Sequence, residues 1–464
     1  MDKTVWTRRE ALGLFGALAA STVAGRAAAG QAPAVPGTEE YLIRGGQVVT
    51  VDAQLGTLAR ADVLLRGGVV QAVGQNLSAP AATVIDASSM IVMPGFVETH
   101  WHMWNSIWRG IAEDATDYFR MQSWAAHYTT QDHYTAVRYA ALEAVNAGIT
   151  TVHNWAHGVR GYDDVEAELR ALADSGLRAR MGYAGVIAGQ PTSAADLRRA
   201  LGWIQANGQG RLSLSMLLDG AGEHFARQVQ LGRELGLKTL TDHGGFMAQP
   251  DLLGPEFLYT HGTALTPEQI KLIAARNIKV GLCPGTDPMI GAGLPPIHAL
   301  LTGGVPLDNL SITVDVTAQT PADPFEMLRT LVNAGRIQQI NNTNLGAIAR
   351  ANPDWLFTYR DALRVGTLSG ANVLSMADHV GSLTPGKRAD VILVRLTDVN
   401  MLPAPDTDPV MQLIQHGQPA NVDTVFIDGR LRKRGGRLVG LDAEKIVADA
   451  AAAQVALRAK AAQR

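Results

Sequence analysis

From about residue 91 onward, short apolar runs alternate with longer segments whose apolar positions recur at helical spacing. The runs at 91–99, 149–153, 178–184, 211–218, 237–242, 257–260, 278–283 and 310–314 are rich in aliphatic and β-branched residues, the pattern of buried strands. Amphipathic segments lie between them at 131–147, 163–175, 194–206, 224–235, 267–276 and 324–334, and Gly148, Gly176 and Gly236 stand where helices should stop. Eight strands separated by helices must run parallel, which predicts an α/β fold, a (β/α)8 TIM barrel over 91–378. A further helix over 359–376 should pack beside the last strand.

The flanks carry a different pattern. Residues 38–90 and 379–440 hold short strands broken by glycine turns such as Gly45-Gly46 and Gly67-Gly68. They lie on either side of the barrel in sequence, so they are expected to pair in space as one small β-sandwich. Residues 401–409, rich in Pro and Asp, read as a loop, and 441–464 as a terminal helix over 442–460. At the other end, Arg8-Arg9, an apolar stretch from Leu12 to Ala24 and the small residues Ala27-Ala28-Ala29 follow the order of a twin-arginine export signal, expected over 1–33. That predicts a periplasmic or secreted destination, with no membrane association after cleavage. Twin-arginine passengers travel folded, which suits a chain whose single cysteine, Cys283, allows no internal disulfide.

Composition adds mainly exclusions. A net charge of −3 and the lack of any long Lys/Arg run argue against nucleic acid as a partner. A small-molecule substrate and a homo-oligomer are expected instead.

The chemistry enters where polar residues end the strands, since catalytic residues of such barrels gather at the C-terminal rim. The first strand ends in His100-Trp101-His102, whose i, i+2 spacing puts both imidazoles on one face and Trp101 on the other. The fifth ends at His243, the sixth at His261 and the eighth at Asp315. Three imidazoles and one carboxylate suit zinc, iron(II), cobalt or manganese. Trp104, His153 and His157 are candidate substrate contacts in the loops after the first two strands, with packing of those loops as the alternative. His127, His133, His224, His298, His379 and His416 read as surface or capping residues, and Cys283 as a small buried side chain.

Several segments taken together resemble the amidohydrolase superfamily, most closely its chlorohydrolase and cytosine-deaminase-like branch. They are Pro94-Gly95-Phe96-Val97-Glu98-Thr99-His100-Trp101-His102, Gly148-Ile149-Thr150-Thr151-Val152, Asp323-Pro324-Phe325-Glu326-Met327-Leu328-Arg329 and the run Gly381 to Val391. The resemblance spans 41 to about 440. It implies that His100, His102, His243 and Asp315 hold one divalent metal, zinc foremost, and that His261 sits beside the reacting water or the substrate. It also implies a hydrolase acting on non-peptide C–N bonds, with Asp315 moving the water's proton and His261 polarising the scissile group. Relatives with two metals bridge them by a lysine ending strand four; here that strand ends in Asp219, which favours one metal. Deaminases of the branch place a proton-shuttling glutamate three residues after the strand-five histidine, where this chain has Phe246. An amide, carbamate or urea needs no ring-nitrogen shuttle and gains weight accordingly. Deamination or dechlorination of a nitrogen heterocycle is the alternative, and a catalytically silent metal-binding barrel the third reading.

Overall fold

The computed structural model describes residues 39–184, 192–219, 222–242, 245–343, 354–403 and 408–462. The expected export signal at 1–33 and the expected ligand His243 lie outside them.

The chain opens with a small sheet. β1 (Tyr41–Val49) pairs antiparallel with β2 (Thr57–Arg66), and β2 with β3 (Val69–Gly74). Along its other edge β1 takes β4 (Thr83–Asp86) and then β5 (Met90–Pro94), both parallel. The chain then enters an eight-stranded sheet in which each strand pairs parallel with the next: β6 (Phe96–Val97), β7 (Ile149–Ala156), β8 (Arg178–Tyr183), β9 (Leu212–Leu217), β10 (Leu240–Asp242), β11 (Phe257–Thr260), β12 (Lys279–Leu282) and β13 (Leu310–Ile312). β14 (Val391–Arg395) returns to pair antiparallel with β5, and β15 (Val422–Ile427), β16 (Arg430–Arg434) and β17 (Arg437–Leu438) complete the first sheet.

The two flanks therefore do join, through β5 and β14. The sheet curls until residues 386–389 meet β3, with Val70 N–H on Lys387 O at 2.8 Å and Ala389 N–H on Gly68 O at 2.9 Å. Tyr41, Ile43, Val63, Ile85, Val391 and Phe426 fill its interior. The expected first barrel strand, 91–99, is split. Gly95 N–H bonds Asp390 O in the small sheet, while the next residue, Phe96, bonds Gly148 O in the barrel. A side chain at 95 would run into Thr150. The boundary between the two sheets thus falls at Gly95 rather than at 90.

Helices cover the barrel as the periodicity predicts, among them Thr130–Ala147, Tyr162–Ser175, Ala194–Asn207, Gly222–Glu234, Pro267–Ala275 and Pro324–Thr343. Gly148 and Gly176 cap two of them with φ of +82° and +73°, a backbone that side chains resist. The stretch 359–376 is not one helix: a π-helical turn, Val365–Ser369, separates Tyr359–Arg364 from Gly370–Val373. There Gly366 and Gly370 lie close against Leu328 and Val97, so the chain hugs the barrel seam. The terminal helix Ala443–Ala461 packs on Thr130–Ala147, and Gln454 Nε2 donates to Ile107 O at 2.7 Å. No helix among the described residues is long and apolar enough to cross a membrane.

Candidate metal centre and pocket

The barrel closes where the segment after β6 meets the end of β13 and the residues beyond it, and the closure builds the site. Thr99 Oγ1 lies 2.7 Å from Ser311 Oγ. Beyond it the backbones interlock, with Asp315 N–H on His100 O and His102 N–H on Asp315 O, each at 2.8 Å. Glu98, buried just below, accepts from the backbone N–H groups of His100 (2.8 Å) and Val314 (3.0 Å) through one oxygen. Burial pushes its carboxyl up to about 8 despite those bonds. Glu98 therefore ties together the two strand ends that carry the metal candidates.

His100 Nε2 and His102 Nε2 both point at Asp315 Oδ1, at 3.1 and 3.2 Å. All three side chains are nearly inaccessible, and they form a candidate metal-binding group. Donors bound at about 2.05 Å in a tetrahedral shell sit roughly 3.3 Å apart, so the observed spacing fits a shared divalent ion. Trp101 faces the other way, into the core. His102 Nδ1 lies 2.8 Å from His157 Nδ1, and the Trp155 ring packs edge-on against His100, centroids 4.1 Å apart. Burial alone would raise the Asp315 carboxyl, but hydrogen bonds from His100 and His102 and the charges of His261 and His100 hold it well below the usual range.

His261 stands at the end of β11, its ring 5.5 Å from that of His100. Its Nδ1 lies 2.7 Å from Oδ1 of Asp287, which is fully buried after β12. Burial opposes a charged imidazole there, but the hydrogen bond to Asp287 and the charge of Asp315 work against it and raise His261 above its ordinary value. Cys283 is buried against Thr313 Oγ1 at 3.1 Å, and burial pushes its thiol up to about 12, so it is no nucleophile.

These groups form the floor of a cavity of about 320 Å³, lined by His102, His157, His261, Asp315, Tyr118, Phe119, Gln122 and Ile290. Of the expected substrate contacts, His157 lines it. Trp104 does not. It is fully buried against Trp108, Tyr128 and the back of His157, because the turn Met103–Trp108 folds onto the helix behind it. His153 is also fully buried: Nδ1–H donates to Thr99 O and Nε2 accepts from Ser215 Oγ, each at 2.8 Å. Asp219 bonds His224 and Gln228 at the head of the following helix. His133, expected at the surface, is buried and bonded to Glu168 at 2.7 Å. The wall residues Tyr118, Phe119, Gln122 and Ile290 carry no metal-ligating or charged side chain that sequence reading could have used. Asp287, the partner of His261, is a site residue that strand-end reasoning did not single out.

Residues 91–432 match the model of the amidohydrolase family. The chain belongs to the amidohydrolase family. Membership makes this amidohydrolase a hydrolase of the type its motifs predict. It is 26% identical to the 5'-deoxyadenosine deaminase of Methanosarcina acetivorans, over 91% of this chain and 99% of that one. It is 25% identical to the 5-methylthioadenosine/S-adenosylhomocysteine deaminase of Pyrococcus furiosus, over 88% and 98%. Among solved structures, an adenosine deaminase from Xanthomonas campestris with bound zinc superposes with a TM-score of 0.76 at 23% identity, covering 91% of this chain and 99% of that one. The atrazine chlorohydrolase TrzN from Arthrobacter aurescens, complexed with zinc, gives 0.75 at 22%, covering 89% and 100%.

Proposed function

We propose that this amidohydrolase cleaves a carbon–nitrogen bond other than a peptide bond in a small amide, carbamate, urea or N-heterocycle. The observation that carries the reading is the convergence of His100 Nε2 and His102 Nε2 on Asp315 Oδ1 at the floor of an open pocket. In this reading His100, His102, Asp315 and, by sequence, His243 hold one divalent transition metal. Zinc is the first choice, as in the zinc-bound neighbours, and iron(II), cobalt or manganese suit the same donors. Bound there, the metal supplies Lewis acidity that brings the pKa of water from about 15.7 to near 7. Asp315 takes the proton of the attacking water and returns it to the departing nitrogen. His261, held as imidazolium by Asp287, keeps one N–H on that carboxylate and directs the other to the scissile oxygen. His157 fixes His102 from behind through its Nδ1 contact.

Phe246, where deaminases of this branch place glutamate, favours the amide-type substrates. The names of the deaminase relatives favour the second reading, deamination or dechlorination of a nitrogen heterocycle. A hydrolysis screen of metal-loaded protein with both substrate sets decides between them by the group released: amine, ammonia or halide. Asp315→Asn and His261→Ala should each lower kcat by about a thousandfold or more. Near-native turnover by His261→Ala at full metal content would overturn the assignment. Less than half an equivalent of metal after reconstitution would favour the silent barrel.

We also propose twin-arginine export of the folded, loaded enzyme and self-association. The Arg8-Arg9 motif supports the first, and the exposed Val447 and Val455 on the terminal helix support the second. Replacing Arg8 and Arg9 by lysine should abolish periplasmic accumulation, and light scattering reads the assembly state.

A further inference from the structure

The charges of the catalytic rim point to the kind of molecule it accepts. In the eight segments that lead from a barrel strand to its following helix there is no lysine, and only three arginines: Arg109, Arg120 and Arg160. Each is committed elsewhere. Arg109 bonds Glu143, Tyr139 and Thr317 O, and Arg160 bonds Asp164 at 3.0 Å. Arg120 pairs with Asp117 and points to solvent at 74% side-chain exposure. The segment 184–193, Ala-Gly-Val-Ile-Ala-Gly-Gln-Pro-Thr-Ser, contributes no charge by its composition.

The upper pocket is apolar. Tyr118 and Phe119 come from the short helix Ala115–Met121, and Ile290 from the opposite segment after β12. Phe119 is 60% exposed, although large hydrophobic groups are costly to leave in water. A ligand seated against it recovers that cost. Gln122 and the Tyr118 hydroxyl are neutral hydrogen-bonding groups among the wall residues.

We propose that the substrate is uncharged and carries an apolar group, aromatic or branched alkyl, next to the scissile bond, with Phe119 and Ile290 as its specificity-determining contacts. This rests on the pocket being the active site. It excludes phosphorylated nucleotides and substrates bearing a free carboxylate, because desolvating an anion against an unpaired apolar wall is unfavourable.

Two probes with one metal-binding headgroup test the proposal by binding, independently of turnover. Calorimetric titration of zinc-loaded protein should show benzohydroxamate binding about tenfold or more tightly than 4-carboxybenzohydroxamate, a difference of about 1.4 kcal/mol. Phe119→Ala and Ile290→Ala should each weaken benzohydroxamate several-fold and leave acetohydroxamate, too short to reach the wall, unchanged. Phe119→Arg should reverse the preference between the two aryl probes. Equal or tighter binding of the carboxylated probe, indifference of benzohydroxamate to both wall variants, or no binding of either probe would overturn the proposal. Should the preference hold while no C–N substrate is turned over, the hydrolytic reading falls and the pocket's selectivity stands.

Discussion

His261 and Asp315 hold backbone φ of +70° and +60°, in the left-handed region that side chains other than glycine avoid. Such a conformation costs about 1–3 kcal/mol at each position and persists only where the surroundings enforce it. Here the enforcement is visible: Asp315 is locked between His100 and His102 by two backbone bonds, and His261 N–H is held on Gly281 O at 2.8 Å. The same turn that strains the backbone swings each side chain onto the floor of the pocket. His153 makes a different use of burial. It accepts no proton easily, because desolvation pushes it down from 6.5 to about 3. The unfolded chain protonates it below 6.5 and the folded one only near 3, so stability falls as pH drops through that window. At pH 5 the cost is about 2 kcal/mol, at about 1.36 kcal/mol per unit. His153→Gln can keep both hydrogen bonds without titrating. Its stability deficit, read from urea unfolding, should shrink by about 2 kcal/mol between pH 7 and pH 5; parallel curves for the two proteins would refute the sign. The roles of His153 and His157 were hard to separate in the sequence for a specific reason. β7 runs to Ala156, past the expected end at 153, which lowers His153 into the barrel and leaves His157 at the rim. His100, His102 and Asp315 were legible because strand alternation and the rim rule fix their side without knowledge of any loop.

At the level of elements, the periodic helices and the parallel strands follow from pattern alone, since each buries one stripe or both faces and the sequence records which. Junctions do not, because they depend on partners distant in the chain. Gly95 is the clearest case. The run 91–97 is uniformly apolar, so its hydrophobic pattern does not mark the residue at which the backbone leaves β14 for β7. What the position demands is the absence of a side chain: a Cβ there would overlap the Thr150 side chain and come 2.7 Å from its Cβ. Thr150 is itself buried and cannot swing away. Gly95→Ala should therefore destabilise the fold by about 1–3 kcal/mol, the usual cost of overpacking. Thr150→Ala in the same chain should recover part of the loss, whereas the two changes acting independently would add. Recovery in calorimetric Tm identifies the clash as the cause; strict additivity would rule it out. The broken helix after residue 364 has a similar origin, since Gly366 and Gly370 answer to Leu328 and Val97 rather than to their own segment.

Over the whole molecule, the small sheet is fastened to the barrel at the end opposite the pocket. Arg178, the first residue of β8, is buried and bonds Asp390 with two nitrogens at 2.9 and 3.1 Å and Asp428 at 3.1 Å. Asp390 precedes β14 and Asp428 follows β15, so one guanidinium joins the barrel to both returning strands of the flanking sheet. Burial would lower the Arg178 pKa, but the two carboxylates outweigh it and hold the group more firmly protonated than usual. Removing the cation alone would strand the buried Asp390 and leave Asp428 with Arg388 at 3.5 Å, and breaking a buried pair in this way costs about 3–5 kcal/mol. Arg178→Met should lose stability on that scale in urea unfolding. Because the loss would arise from unpaired charge rather than from lost packing, adding Asp390→Asn and Asp428→Asn should return a large part of it. Wild-type kcat per folded molecule is expected throughout, since the first residue of β8 lies the full length of the strand from the catalytic rim. A triple variant no more stable than Arg178→Met, or a kcat that falls with each step, would mean that the junction shapes the site as well as supporting it.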